Sequence, residues 1–555
     1  MKRKSSKLLY ILAASIILLA SCQNAGNQKA NSDPYAKPGS HPMIANSETA
    51  QVPTESGDVI GYLHKGVYNY KGIPYAKAER FMPPQKPDSW EGVRSSRSYG
   101  PVCPIDVASM IFYDEMEFAQ QHNFWFMKED DCLNLNVWTP GINDSKKRPV
   151  MVWLHGGGYF AGSSCELPTY DGESLSGGED VVVVSLNHRL NVLGFLDLSA
   201  VDDQYAQSAN VGMMDIVMAL EWVQNNISNF GGDPGNVTIF GQSGGAGKVA
   251  TLMYAPSAKG LFHKAIMQSG GGPTFADKNV TQKVGLAVLE VLGLSKTETE
   301  KLKDIPYDEL LAAGTQAIDM VRASGEKIGR LGWGPVQDGV FLPYQPGDSE
   351  GDLISKDVPL MIGTTRTEFG MSSMTPYFKG TKEEVTEYLG TIYKDKTDAF
   401  VAAYDKAYPD TKMPSDMIDV DFMMRPGSVN FANIKNDVEG APTYMYLFSW
   451  DSPVLDGMLK AAHCMEIAFV FNNIHRNEEY NGGTPEAYAL AEKLSKTWAV
   501  FAHSGNPNND LMPSWEPYTE QEGATMIMDN VSVLKYHHDK ELLEIASSVE
   551  LPSLF

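Results

Sequence analysis

Two glycine-rich stretches hold residue types that could do covalent chemistry. One reads Thr238-Ile-Phe-Gly-Gln-Ser-Gly-Gly-Ala-Gly-Lys-Val249, with Ser243 between glycines, and the other reads Leu154-His-Gly-Gly-Gly-Tyr159. A serine hydroxyl is a poor nucleophile at neutral pH. Acyl chemistry on Ser243 would need a base beside it and donors for the oxyanion that develops. Three consecutive glycines allow backbone N–H groups to converge on one point, with no side chain in the way. The Gly-x-Ser-x-Gly spacing is a weak signal by itself, so the elements around it must decide.

Those elements fit. Asn236 to Phe240 reads as a strand running into the glycines, and a helical pattern follows from Gly247 through Ala258. That order places the serine on a strained turn that pushes its hydroxyl out of a sheet; a side chain at either flanking glycine would strike the adjoining strand or helix. Elsewhere, short apolar runs ending in glycine or polar turns alternate with longer helical patterns. This is the signature of an α/β fold with a large, mainly parallel sheet and helices on both faces. Val150–Leu154, Val181–Leu186, Val237–Phe240, Leu360–Ile362 and Tyr444–Phe448 are the best strand candidates. Helix periodicity is clear over 213–226 and 487–501. The segments near 280–330 and 380–437 are helical in pattern and read as insertions over the sheet.

Composition bounds the function classes. The 555 residues, 43% apolar, suffice for one large α/β domain with insertions or for several domains. Lys and Arg total 45 against 69 Asp and Glu, a formal charge of −24, and no basic block interrupts the acidic surplus. Nucleic acid is therefore not an expected partner, because phosphate binding needs clustered cations. No Cys-x-x-Cys or paired-histidine spacing occurs, so neither a metal nor another cofactor is expected.

The N-terminus reads as an address. Lys2, Arg3, Lys4 and Lys7 precede an apolar run from Leu8 to Ala20, and Leu19-Ala-Ser-Cys22 follows. The run is short for a membrane span. The pattern resembles a bacterial lipoprotein signal over 1–22, in which Cys22 is lipidated and becomes the mature N-terminus. Residues 23–50 are polar and read as a flexible tether. The remainder, 51–555, is expected to be one domain, held at the bacterial cell envelope by the lipid and facing the periplasm or exterior. An exported chain lives where disulfides persist. Cys103, Cys132, Cys165 and Cys464 permit three pairings.

Several motifs in one order make a specific resemblance: Gly-Ile-Pro-Tyr-Ala (72–76), Glu-Asp-Asp-Cys-Leu-Asn-Leu-Asn-Val-Trp (129–138), the glycine loop 155–159, Asn-His-Arg-Leu-Asn (187–191), Asn-Phe-Gly-Gly-Asp-Pro-Gly-Asn (229–236), the Ser243 turn, and His-Cys-Met-Glu-Ile-Ala-Phe-Val-Phe (463–471). From about residue 51 to 520 the chain resembles the type-B carboxylesterase/lipase family, which includes the cholinesterases. The resemblance implies an α/β-hydrolase fold with helical insertions over the active site, and a small-molecule ester as substrate. It implies Ser243 as nucleophile, Glu368 of Gly363-Thr-Thr-Arg-Thr-Glu as triad acid, and His463 as base. The order Ser, Glu, His is that of α/β-hydrolases. The N–H groups of Gly157, Gly158 and Gly244 are the implied oxyanion hole.

The chain departs from the family pattern beside the nucleophile, where most relatives carry Glu and Ala and this chain carries Gln242 and Gly244. The lost acid weakens the case for a choline ester. The resemblance further implies a Cys103–Cys132 disulfide bordering the gorge, a structural Arg189–Asp215 ion pair, and a hydrogen bond from Ser269 to the triad acid. Trp333, Phe124, Trp125 and Tyr159 are candidate pocket residues. The leading expectation is a serine carboxylic-ester hydrolase with no obligate protein partner. Alternatives are an acyltransferase, amidase or thioesterase on the same machinery, or a binding protein, which would require a broken triad.

Overall fold

The structure is a computed structural model that describes residues 42–111, 115–272, 274–329, 332–348 and 354–549. Cys22 and the signal segment 1–22 lie outside the described residues, as does the tether up to residue 41. An eleven-stranded sheet contains, in chain order, β1 (Tyr62–His64), β2 (Val67–Pro74), β3 (Asn134–Thr139), β4 (Arg148–Leu154), β5 (Val182–Leu186), β6 (Gly232–Gln242), β7 (Lys264–Gln268), β8 (Leu360–Thr365), β9 (Thr443–Phe448), β10 (Ala524–Met528) and β11 (Val533–Tyr536). Across the sheet they run β11-β10-β9-β8-β7-β6-β4-β5-β3-β2-β1. From β10 to β5 every pairing is parallel, and the flanking pairs β10–β11, β5–β3, β3–β2 and β2–β1 are antiparallel. The mainly parallel sheet expected from the sequence is therefore present, with antiparallel margins.

Alternation within the apolar runs sets the layers. Val150, Val152 and Leu154 of β4 enter one core together with Val249 and Leu252 of the helix that follows Ser243. Met151 and Trp153 enter the opposite core, where they meet Leu494 and Trp498. Parallel strands covered on both faces need apolar side chains at every position, which is why these runs look continuous in sequence. Among the helices are α1 (Val211–Asn226), α2 (Gly244–Tyr254), α3 (Lys278–Val291), α4 (Tyr307–Ala323), α5 (Lys382–Tyr393), α6 (Thr397–Ala407), α7 (Met424–Asp437), α8 (Met465–Val470) and α9 (Pro485–Ser504). The helical segments expected at 280–330 and 380–437 correspond to α3–α4 and α5–α7; α5 and α6 share a smaller apolar cluster of their own.

One boundary moves. Ile44 exchanges backbone hydrogen bonds with Leu63 and Ala50 is buried, so the folded unit begins several residues before Gln51, inside the stretch expected to be tether.

Candidate active site

The turn after β6 is strained in the way its sequence requires. Ser243 has φ 57° and ψ −122°, and its N–H donates to the Gln268 carbonyl at 2.8 Å, tying the turn to the end of β7. A Cβ on Gly245 would lie 2.0 Å from the Leu154 carbonyl, and one on Gly241 would lie 2.6 Å from the same oxygen. Only glycine fits at either place. α2 starts at Gly244, so its first N–H groups open toward the serine.

The acid and base meet after the next strands. Glu368 follows β8 and is buried; its Oε1 accepts from the Thr365 N–H at 2.8 Å and its Oε2 lies 2.5 Å from His463 Nδ1. The His463 N–H donates to the Glu368 carbonyl at 2.8 Å, and the Tyr480 hydroxyl donates to the His463 carbonyl at 2.6 Å. A carboxylate on Nδ1 fixes the proton there and leaves Nε2 with the lone pair that a general base uses. Burial pushes the His463 imidazole down, but the Glu368 carboxylate, aided by Glu466 and Asp421, outweighs this and holds it above its ordinary value.

The glycine loop lies against the nucleophile turn. Gly157 and Gly158 have φ of 78° and 62°, and a Cβ on Gly156 would come within 3.6 Å of Ser243 Cβ. Behind the loop sits a buried polar cluster. Lys248 of α2 donates to the His155 carbonyl at 2.9 Å, and burial pulls its amine down to about 7. Burial likewise pushes Glu166 up to about 7, and the rings of His155 and His188 stack at 5.1 Å.

Several residues around His463 were not foreseen. Gln242, fully buried, places its Nε2 3.3 Å from Nδ1 and 3.2 Å from Nε2 of the ring, and its Oε1 accepts from the Cys464 thiol at 3.2 Å. Because Gln242 adjoins Ser243, this contact sets serine and histidine in one neighbourhood. The Phe369 ring centroid lies 4.4 Å from that of His463. Asp421, whose carboxylate caps the start of α7, is pushed up to about 6 by burial and then by Glu368. It is brought there by Asp419, which accepts from the Ser372 N–H and pairs with the buried Lys460 at 2.5 Å. The position of Phe369 next to Glu368 was the one signal available; the others come from segments distant in sequence.

The remaining expectations divide. Arg189 and Asp215 form the buried pair, with Nη2–Oδ1 2.6 Å and Nε–Oδ2 2.9 Å. Ser269 does not reach the triad acid: its buried hydroxyl has no hydrogen-bond partner. Cys103 and Cys132 lie against one another, both buried and both thiols in this structure; the Cys132 thiol donates to the Glu129 carbonyl at 3.5 Å and Cys103 accepts from the Leu190 N–H at 3.3 Å. Cys165 and Cys464 are likewise free. The Tyr159 hydroxyl bonds Thr251 of α2 and its ring lies beside Gly334, while Trp333 packs over Gly314 of α4. Phe124 and Trp125 are 37% and 44% exposed, resting on His122 and Tyr99.

Strand order, the turn that carries Ser243, and the carboxylate–histidine pair on later strand ends together make this an α/β-hydrolase. The chain belongs to the carboxylesterase family, whose description matches residues 48–544. It is 36% identical over 502 residues to the para-nitrobenzyl esterase of Bacillus subtilis strain 168, covering 88% of this chain and 97% of that one. It is 32% identical to liver carboxylesterase 1 of Oryctolagus cuniculus, with 96% of each chain covered. A solved esterase from Clostridium hathewayi superposes with a TM-score of 0.83 at 35% identity, covering 92% of this chain and all of that one. The protein is thus a carboxylic-ester hydrolase of the serine type.

Proposed function

We propose that Ser243, Glu368 and His463 are the catalytic triad and that hydrolysis runs through an acyl-enzyme on Ser243. The observation that carries this is the 2.5 Å contact between His463 Nδ1 and Glu368 Oε2, set beside the strained Ser243 turn. His463 Nε2 takes the hydroxyl proton as Ser243 attacks the ester carbonyl. Glu368 stabilises the imidazolium without taking its proton. The N–H groups of Gly157, Gly158 and Gly244 receive the oxyanion. The imidazolium then protonates the departing alcohol, and water attacks the acyl-enzyme with His463 again as base.

On this reading Tyr159, Trp333, Phe124 and Trp125 are the residues assigned to the substrate pocket, Phe124 and Trp125 being partly exposed. Exposed aromatic side chains suit an apolar or aromatic ester, and the Clostridium hathewayi relative is described as hydrolysing aliphatic aromatic polyesters. The enzyme is anchored to a bacterial envelope through lipid on Cys22, with 23–41 as tether; a Cys22→Ala chain recovered in the soluble fraction tests this. The triad is tested on p-nitrophenyl acetate, butyrate and octanoate with the soluble form beginning after Cys22. Turnover by the native chain and its loss in Ser243→Ala is the expected result. Equal, negligible rates from both would overturn the reading.

A further inference from the structure

The side chain of Gln242 takes no part in the steps above, yet it is fully buried and touches the catalytic ring. Its Nε2 is nearly equidistant from the two ring nitrogens, at 3.3 and 3.2 Å. An atom at those distances in the plane of the ring would overlap the carbon between the nitrogens. The amide therefore sits over a face of the imidazole. Phe369, with its ring centroid 4.4 Å away and tilted by 32°, takes the other face, since the two groups cannot share one. His463 is held between an amide and an aromatic ring.

Which end of the amide faces the ring is set by Cys464. Its thiol donates to Gln242 Oε1 at 3.2 Å, which turns the NH₂ end toward His463. Cys464 can do this because its backbone is left-handed, φ 71°, which swings the side chain back toward β6 at the start of α8. A donor over an imidazole face interacts well with a neutral ring and poorly with an imidazolium. The other groups facing His463 act the opposite way: Glu368 from the loop after β8, Glu466 from α8 and Asp421 before α7 all favour the charged ring. Gln242 is the element on this side of the ring that opposes them.

We propose that Gln242 is a positioning residue: its amide, aimed by the Cys464 thiol, closes one face of His463 with a donor and so favours the neutral ring that must accept the Ser243 proton. This rests on the triad assigned above. The role matters because Glu368, Glu466 and Asp421 all favour the protonated ring, the form that cannot accept a proton.

The test is the pH profile of kcat/KM on p-nitrophenyl butyrate, with active sites counted by the p-nitrophenol burst. Gln242→Met keeps the volume and removes the donor; its acid limb moves upward by about half a pH unit and kcat falls about fivefold. Gln242→Glu puts a carboxylate on the ring and moves the limb upward by about one pH unit or more. If substitution at 242 prevents folding, Cys464→Ala and Cys464→Ser carry the test: the alanine moves the limb upward, and the serine, which still donates, does not. A native limb in Gln242→Met, or equal limbs in the two Cys464 variants, overturns the proposal. A native enzyme without esterase activity overturns the triad reading instead.

Discussion

The backbone of Gly158 stands where a side chain on Gly244 would have to be: a Cβ there would lie 2.4 Å from the Gly158 nitrogen and Cα. The glycine loop has closed on the nucleophile turn through the space that a side chain at 244 would fill. Gly244→Ala is therefore expected to push Gly158 outward and misplace a donor. Loss of one oxyanion donor costs about 10² to 10³ in kcat. Steady-state kinetics with unchanged KM and unchanged burst stoichiometry would check this; a kcat within threefold of native would refute it.

The position of the acid limb follows from the charges around His463. The imidazole is held above its ordinary value of 6.5, chiefly because Glu368 outweighs the opposing effect of burial. A protonated ring cannot accept the Ser243 proton, so kcat/KM falls as pH drops through a value above 6.5. The same pairing favours the folded state below the unfolded imidazole pKa, and this contribution is lost as pH rises through the raised value. A limb below the ordinary imidazole range would contradict the pairing.

Glu368→Gln keeps the shape of the acid and removes its charge. The amide can present its NH₂ to Nδ1 and so select the wrong tautomer. A fall of about 10³ to 10⁴ in kcat is expected, with little change in thermal midpoint. Retained activity would show that another carboxylate, Asp421 or Glu466, serves as the orienting acid.

Phe369→Ala opens one face of His463 while leaving the Glu368 contact in place. The ring gains freedom, and a roughly tenfold or greater loss of kcat is expected. Phe369→Tyr, which keeps the aromatic face, should restore most of it. An alanine variant as active as the tyrosine variant would remove Phe369 from the account of positioning.

Asp215→Asn tests the scaffold and not the chemistry. Arg189 and Asp215 are both buried, and the carboxylate also accepts from the Arg189 N–H at 3.0 Å. Leaving the guanidinium uncompensated costs about 3 to 5 kcal/mol. Urea unfolding would read this directly, with kcat per folded active site nearly unchanged.

The central strands were legible because burial on both faces forces unbroken apolar runs such as Val150–Leu154. The margins were not: Tyr62–His64 and Val533–Tyr536 have only partly covered or exposed positions, and such short stretches carry little pattern. At the site, Ser243 could be read from local spacing, since its turn is made by neighbouring residues. Glu368 and His463 needed the resemblance, because nothing near either in sequence identifies a partner 95 positions away. The contacts of Gln242, Phe369 and Asp421 with the base arise only when separate segments close on one ring. The cysteine pairing implied by the resemblance named true neighbours, since Cys103 and Cys132 are both buried and lie against one another.

The strand ends beneath the site are stitched in sequence. Ser243 N–H bonds Gln268 at the end of β7, Ser269 N–H bonds Gly363 of β8, and Arg366 N–H bonds Phe448 at the end of β9. These amides should exchange with solvent deuterium only when the whole sheet opens. On heating, a half-competent enzyme has no structural basis, and catalysis and secondary structure should vanish along one curve.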